Sequence, residues 1–401
     1  MKKYRIEKRH FCNVTPHQQE EMLSAFKVAK NGDIEISYTP KKYRVNNLRP
    51  NFSDEVQAIS MFSGAGGLDI GAQLAGVKVL SSLDFFADSV RTLELNKYFS
   101  HTVHMHRDIT TVTAQDFAEI LSKNKPKKLI IIGGPPCQPF SKAGYWVTNE
   151  KRDSANDPRN MIVPYFRVIE ELKPDGFVLE NVESILHPSN REAVEVIYEN
   201  MARLGYYCSL IKTNAADYGI PQKRKRVFFL ASRKPIQASL TKTHGSAKEI
   251  LENPTLLPYE RVIDWIGDYD SIDLCDEDRR TVEGKYAYQL TEIPMGRNYI
   301  ALSAHDGHPN PIFVAGKRYW TSLLKLHPFE PSWTIIASPG HWEGPFHWTN
   351  RKLNIRELAA IQTFPEDYEF YGSYYSVHKQ IGNAVPPLLG KLVVEELLKW
   401  I

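Results

Sequence analysis

An unbroken apolar run that ends on a rigid turn constrains this chain more than any other feature. Lys128-Leu129-Ile130-Ile131-Ile132 reads as a strand, and it runs directly into Gly133-Gly134-Pro135-Pro136-Cys137-Gln138-Pro139-Phe140-Ser141. Two glycines allow close backbone approach, and two prolines fix the chain just before the sulfur. Strand ends are where open α/β sheets hold their chemistry. A Pro-rich turn with an incidental thiol is the plain alternative for a bare Pro-Cys. Partner motifs elsewhere in the chain weigh toward a nucleophile at Cys137.

From about residue 56 strand and helix patterns alternate. Strands are expected at Val56–Phe62, Val77–Leu83, 128–132, 176–180 and 226–231, and helices at Leu68–Ala75, 88–97, 160–172 and 190–204. This rhythm predicts an α/β fold with a parallel sheet covered on both faces. After about residue 233 the rhythm fails, and short apolar runs sit among Pro, Gly, Trp, Tyr and His. A smaller, irregular domain is expected there. The chain end, Gln380–Ile401, returns to a helix after Pro386-Pro387 and is expected to pack on the first domain. The expected division is a basic N-terminal extension over 1–50, a catalytic domain over 51–233 plus 376–401, and a small domain over 234–375.

Composition removes several classes. With 42% apolar and 24% charged residues, the 401-residue chain is ordinary for a soluble globular protein. No apolar run approaches the roughly 20 residues of a membrane span, and MKKYRIEKRH has no apolar stretch behind it. Cys12, Cys137, Cys208 and Cys275 form no C-x-x-C pair, which argues against zinc and a redox dithiol. A cytoplasmic location and no bound metal are the expectations. Residues 1–50 hold 11 Lys/Arg against 5 Asp/Glu. Such a segment suits phosphate backbones, and equally suits a solvated tail.

A glycine turn, Phe62-Ser63-Gly64-Ala65-Gly66-Gly67, joins the first strand to the first helix and lets a nucleotide-like ligand approach the backbone. A dehydrogenase, a flavin site or a tight structural turn can each produce it. Asp84 ends the second strand, where a carboxylate can accept from ribose hydroxyls; Phe85 can stack on adenine, and Asp108-Ile109 can hold the adenine edge. The turn contains no Lys or Arg to meet a pyrophosphate, which favours S-adenosylmethionine over a dinucleotide.

Two further motifs bear on reactivity. Glu180 ends the run Phe177-Val178-Leu179-Glu180-Asn181-Val182, where partial desolvation suits a proton donor; a helix-capping Glu is the alternative. In Gly219-Ile220-Pro221-Gln222-Lys223-Arg224-Lys225-Arg226, alternation is expected to put Gln222, Arg224 and Arg226 on one face of a strand. A thiolate that adds to C6 of cytosine, an acid at N3 and an arginine at the O2 edge would together activate C5 for methylation.

The chain resembles the C5-cytosine-specific DNA methyltransferases of bacterial restriction-modification systems. FSGAGGL at 62–68, GGPPCQPFS at 133–141, ENV at 180–182, QKRKR at 222–226, RELAAIQTFP at 356–365 and QIGNAVPP at 380–387 carry the resemblance, in the family's order. It implies a Rossmann-like, class I S-adenosylmethionine-dependent domain with a smaller target-recognition domain. It implies Cys137 as nucleophile, Glu180 as the N3 partner, and Arg224 and Arg226 as base- and site-holding arginines. Phe62, Ser63, Gly64, Gly66, Gly67, Asp84, Phe85, Asp108, Ile109 and Pro135 fall on cofactor positions, and Asn383, Ala384 and Val385 close the methionine end. Asp84 departs from the family's more usual Glu.

A cytosine inside a duplex hides C6, so the base must be flipped out. Residues 141–160 read as a lid, with Ser141, Lys142, Lys151, Arg152 and Arg159 placed to meet DNA. Base reading falls by resemblance in about 234–345, with Arg297, Asn298, Lys317, Arg318, Tyr319 and Trp320 as candidates and Gln222 beside them. The expected partner is double-stranded DNA, with a cognate restriction endonuclease acting separately and the enzyme itself a monomer. The tRNA-methylating branch of the family, a catalytically silent DNA-binding homologue and a nicotinamide dehydrogenase are the competing readings. The last leaves the later motifs unexplained, and loss of Cys137 or Glu180 would mark the silent homologue.

Overall fold

The computed structural model describes residues 26–28, 34–36, 41, 45, 52–136, 161–269, 282–314 and 319–401. Cys137, Ser141, Lys142, Lys151, Arg152, Arg159, Lys317 and Arg318 lie outside these residues, as does most of the basic N-terminal segment. The chain divides into two compact units. One holds Asn46–Asn214, Lys225–Thr241 and Asp367–Ile401; the other holds Met1–Val45, Ala215–Arg224 and Lys242–Glu366. The sequence places its boundaries at 50/51, 233/234 and 375/376, whereas the compact units divide at 45/46, 214/215, 224/225, 241/242 and 366/367.

The first unit is built on a seven-stranded sheet. Its strands are β1 (Ser53–Met61), β2 (Val77–Asp84), β3 (Val103–His106), β4 (Lys128–Gly133), β5 (Gly176–Val182), β6 (Tyr207–Asn214) and β7 (Lys225–Ser232). The order is β3-β2-β1-β4-β5-β7-β6. β1 to β5 pair in parallel, and β7 runs antiparallel between β5 and β6. The sheet is therefore parallel-dominated rather than wholly parallel. Its helices are α1 (Gly67–Leu74), α2 (Ala87–Leu95), α3 (Gln115–Asn124), α4 (Ile162–Leu172), α5 (Arg191–Arg203), α6 (Tyr374–Asn383) and α7 (Pro387–Leu398). The C-terminal segment is thus two helices, because Pro386 and Pro387 cannot continue α6 and instead open α7.

Strand alternation assigns the faces. Ile59, Ile131, Phe177, Leu179, Val227 and Phe229 share one fully buried core with Tyr165, Phe166 and Ile169 of α4 and Ile197 and Met201 of α5. Tyr165, Phe166, Phe177 and Tyr206 meet edge-to-face there, with centroids 4.9–6.3 Å apart. The intervening residues Ala58, Ile130, Val178 and Phe228 turn to the opposite face, and α7 packs on β5 and β7. The strand order reverses between β1 and β4. A crevice at the carboxyl ends of those strands is where such sheets bind ligands.

The other unit is irregular. Its described elements include a short antiparallel pair, Phe26–Val28 with Ile34–Ile36, and a parallel pair, Gln222–Lys223 with Ser332–Trp333. Val282, Leu290, Ile293, Tyr299, Leu302, Leu323 and Phe346 form an apolar cluster. The helix Ile355–Ile361, from the RELAAIQTFP motif, is closed by a reciprocal cap between Asn354 and Glu357. Arg351 grips both oxygens of the fully buried Glu357 at 2.7 and 2.8 Å. No helix among the described residues is long and apolar enough to cross a membrane.

Candidate active site

The carboxyl ends of β1, β2, β4 and β5 open into a cavity of about 580 Å³ within the first unit. Its wall gathers Phe62, Ser63, Gly64, Gly67, Asp84, Phe85, Asp108, Ile109, Pro135, Asn383, Ala384 and Val385, together with Glu180 and Arg226. Among the predicted cofactor positions, Gly66 alone does not line it. Segments scattered over more than 300 residues of sequence meet because each follows a strand or flanks α6.

The glycine turn leaves β1 through Phe62, whose φ of +56° is unusual for a residue with a Cβ. Gly64 follows at φ +53°, and its amide donates to Asp84 Oδ2 at 2.8 Å. Asp84 Oδ1 accepts from Phe86 N, also at 2.8 Å. Burial raises the Asp84 carboxyl above its ordinary value, and those two amides pull it back. A carboxylate offers about four lone-pair sites, so room remains for two ligand hydroxyls. Phe85 leaves 70% of its surface exposed at the cavity wall, an apolar ring free to cover a planar base. At the opposite motif, a Cβ on Gly67 would lie 2.2 Å from Val385 O, so the first and last motifs pack backbone to side-chain position.

The reactive end is built on β5. Glu180 meets Arg226 of β7 at 2.8 Å from Nε to Oε1, each side chain only about one-eighth exposed. The pairing follows from register, since Arg226 stands opposite Val182 and Phe228 opposite Glu180. Burial lowers the Arg226 guanidinium from its usual value, while the adjacent Glu180 raises it. Asn181 holds the turn after β4 by donating from Nδ2 to Pro135 O at 3.3 Å, and its Oδ1 accepts from Val182 N. Cys137 follows this turn in the sequence and lies outside the described residues.

One expectation is overturned. Gln222, Arg224 and Arg226 do not share a strand face. Gln222 N bonds to Ile220 O and Arg224 N to Gln222 O, two successive three-residue turns that break the alternation before β7 begins at Lys225. Arg226 lines the cavity. Arg224 is fully buried in the other unit, donating from Nη1 to Ile335 O. Gln222, expected at the DNA, is also fully buried there and bonds to Gln362. Arg297 is ion-paired with Asp306 at 2.8 Å. Asn298 is buried and donates to Trp320 O; Tyr319 and Trp320 are 71% and 52% exposed.

Several wall residues escape sequence reasoning. Arg107, Lys379, Phe86, Met161 and Asp69 all line the cavity. The glycine turn itself carries no cation, yet folding brings Arg107 and Lys379 beside it. Lys379 Nζ sits 4.3 Å from the Phe86 ring centroid. The absence of cations in the turn therefore loses its force as an argument against phosphate ligands. Both cations had a signal, since Lys379 abuts the QIGNAVPP motif and Arg107 directly precedes Asp108-Ile109.

Comparison with known proteins covers most of the chain. A family model for C-5 cytosine-specific DNA methylases matches residues 56–399. Type II methyltransferase M.SacI of Streptomyces achromogenes is 34% identical over 370 residues, covering 86% of this chain and 93% of that protein. Type II methyltransferase M1.HphI of Haemophilus parahaemolyticus is 31% identical, covering 85% and 86%. Two solved structures share the fold. A prophage-encoded DNA modification methyltransferase of E. coli gives a TM-score of 0.58 at 23% identity, covering 86% and 99%. Dnmt2 methyltransferase of S. pombe gives 0.56 at 17% identity, covering 86% and 98%.

Proposed function

Because this chain belongs to the C-5 cytosine-specific DNA methylase family, we propose that it methylates C5 of a cytosine within a specific duplex sequence, protecting host DNA beside a separate endonuclease. The observation that carries the reading is the single cavity in which Glu180 and Arg226 share walls with the glycine turn, Asp84 and Asn383–Val385.

The wall residues fit S-adenosylmethionine. Asp84 has free lone pairs for the ribose hydroxyls, the exposed Phe85 ring suits adenine, Asp108 and Ile109 suit its edge, and Asn383–Val385 would close the methionine end. When bound, this cofactor supplies an electrophilic methyl group. The chain's own groups prepare the acceptor. Cys137 adds as thiolate to C6 of the flipped cytosine, and Glu180 donates to N3 so that charge does not accumulate on the ring. Arg226 fixes the Glu180 carboxyl in place. C5 then has enamine character and is the carbon methylated. Loss of the C5 proton and expulsion of Cys137 restore the aromatic base.

Bisulfite sequencing of DNA from cells that express the chain tests this directly. Methylated cytosines in one recurring sequence are expected, and none with Cys137→Ser. Duplexes carrying 5-fluorocytosine at that site should trap an adduct stable to SDS. Methylation of tRNA with DNA untouched would overturn the reading, as would turnover in Cys137→Ser near that of the parent enzyme.

A further inference from the structure

Asp69 stands in the first turn of α1 with no exposed surface, yet it forms part of the cavity wall. A relay of three protons ends on one of its oxygens, and a fourth proton reaches the other. Leu83 N donates to Ser63 Oγ at 3.1 Å, Ser63 Oγ to Ser60 Oγ at 2.9 Å, and Ser60 Oγ to Asp69 Oδ2 at 2.8 Å. Ser82 Oγ donates to Asp69 Oδ1 at 2.6 Å. This polarity suits an ionised carboxylate. Among the described residues no cation is hydrogen-bonded or ion-paired to it. Buried charges are normally paired, so this anion behind the glycine turn lacks the partner that a cationic ligand would provide.

We propose that Asp69 is the electrostatic partner of the cofactor's sulfonium, and that it makes the cavity favour the methyl donor over the demethylated product. The inference rests on the cofactor reading above. Donor and product differ by a methyl group and one positive charge. Their affinity ratio therefore isolates the field at the sulfur, because the adenosine and methionine contacts cancel. A carboxylate within ~8 Å in a protein interior is worth more than about tenfold in that ratio. The preference makes exchange of product for fresh donor favourable after each turnover.

Burial pushes the Asp69 carboxyl up to about 6, while the Ser82 and Ser60 hydroxyls pull it down. Asp84 also raises it, and Tyr368 lies within its field. His106, Arg107, Asp108, Lys379 and the Glu180–Arg226 pair are the other charged or titratable groups near the cavity among the described residues. Protonation of Asp69 removes the anion, so the affinity ratio should fall as pH drops through about 6.

Calorimetric binding of S-adenosylmethionine and S-adenosylhomocysteine to the full chain, from pH 5 to 8, tests the proposal. The ratio should fall about tenfold across that range, and near pH 6 the donor should release protons on binding while the product does not. Asp69→Asn should bind both ligands with a low ratio independent of pH. Ser82→Ala keeps the carboxylate and loses a stabilising bond, so its midpoint should move to higher pH with the ratio restored at pH 8. His106→Gln should leave the pH dependence intact. Two bound ligands with a pH-independent ratio, unchanged in Asp69→Asn, would overturn this proposal alone. Failure of both ligands to bind the parent chain would overturn the cofactor reading and this proposal with it.

Discussion

Gly134 sits one residue beyond β4, and a Cβ placed on it would lie 2.7 Å from Glu180 Oε2. The obstacle is a side-chain tip and not backbone, so the fold can absorb the methyl group by moving the carboxyl. That movement strains the 2.8 Å pair with Arg226. Gly134→Ala should therefore keep its melting temperature within about 2 °C and lose at least about tenfold in kcat, since misplacement of a reacting group by an ångström is that costly. Unchanged single-turnover rates would refute the steric account. Residues of this kind were legible because each strand end carries a recognisable motif. Asp69 was not, because an acid in the first turn of a helix reads as a dipole partner. Only folding shows that it is buried against Ser60 and Ser82. Arg107 was passed over although it directly precedes Asp108-Ile109, because an arginine after a short strand turns to solvent as readily as to a cavity.

At the scale of elements, α1 and α7 cross with glycine against glycine. A Cβ on Gly71 would lie 2.6 Å from Gly390 C and 2.7 Å from Lys391 N, both backbone atoms. A Cβ on Gly390 meets Leu68 Cδ1 at 3.2 Å first, a side chain able to rotate. Gly71→Ala must push the helices apart and should cost about 2–3 kcal/mol, within the range for overpacked interiors. Gly390→Ala should cost less than half as much. Urea titrations of the two variants decide it, and equal losses would contradict the contact geometry. Helices α1, α2, α4, α5 and α7 and the parallel strands β1, β2, β4 and β5 were predicted within a few residues because their apolar runs are continuous, whereas α3, α6 and the short β3 were not placed. β6 was not placed either, since Tyr207–Asn214 is an edge strand that mixes exposed and half-buried positions. β7 was expected as a strand at 226–231, but its antiparallel direction was invisible for another reason. Its apolar run Val227–Ala231 fits either direction, and the two short turns at 220–224 that precede it leave no periodic trace.

For the molecule as a whole, two buried charges set opposite slopes of stability against pH. Asp69 has a folded value of about 6 against an ordinary 3.8. Between those values the native form holds more protons than the unfolded chain, so stability falls as pH rises from about 4 to 6. Lys325, only 3% exposed, donates to Ile293 O and is lowered by burial from 10.5 to about 7. Between about 7 and 10.5 the unfolded chain holds the extra proton, so stability rises with pH. Each slope reaches at most about 1.4 kcal/mol per pH unit. Both penalties are therefore in force near pH 6–7, and the stability curve should have a trough there. Lys325→Met should raise stability at pH 7 and flatten the alkaline limb. Five of the seven tryptophans, Trp265, Trp320, Trp333, Trp342 and Trp348, lie in the same unit as Lys325, so tryptophan fluorescence during denaturation reads that limb. Asp69→Asn should flatten the acid limb, followed by hydrogen exchange at β1 and α1. A parent enzyme whose stability peaks at pH 6.5, or an Asp69→Asn variant that keeps its acid slope, would show that these groups are ordinary surface-like titrators. If the trough is found, the ligand-free enzyme tolerates an unpaired anion at its cavity that costs it stability, as expected of a charge kept for binding a cation.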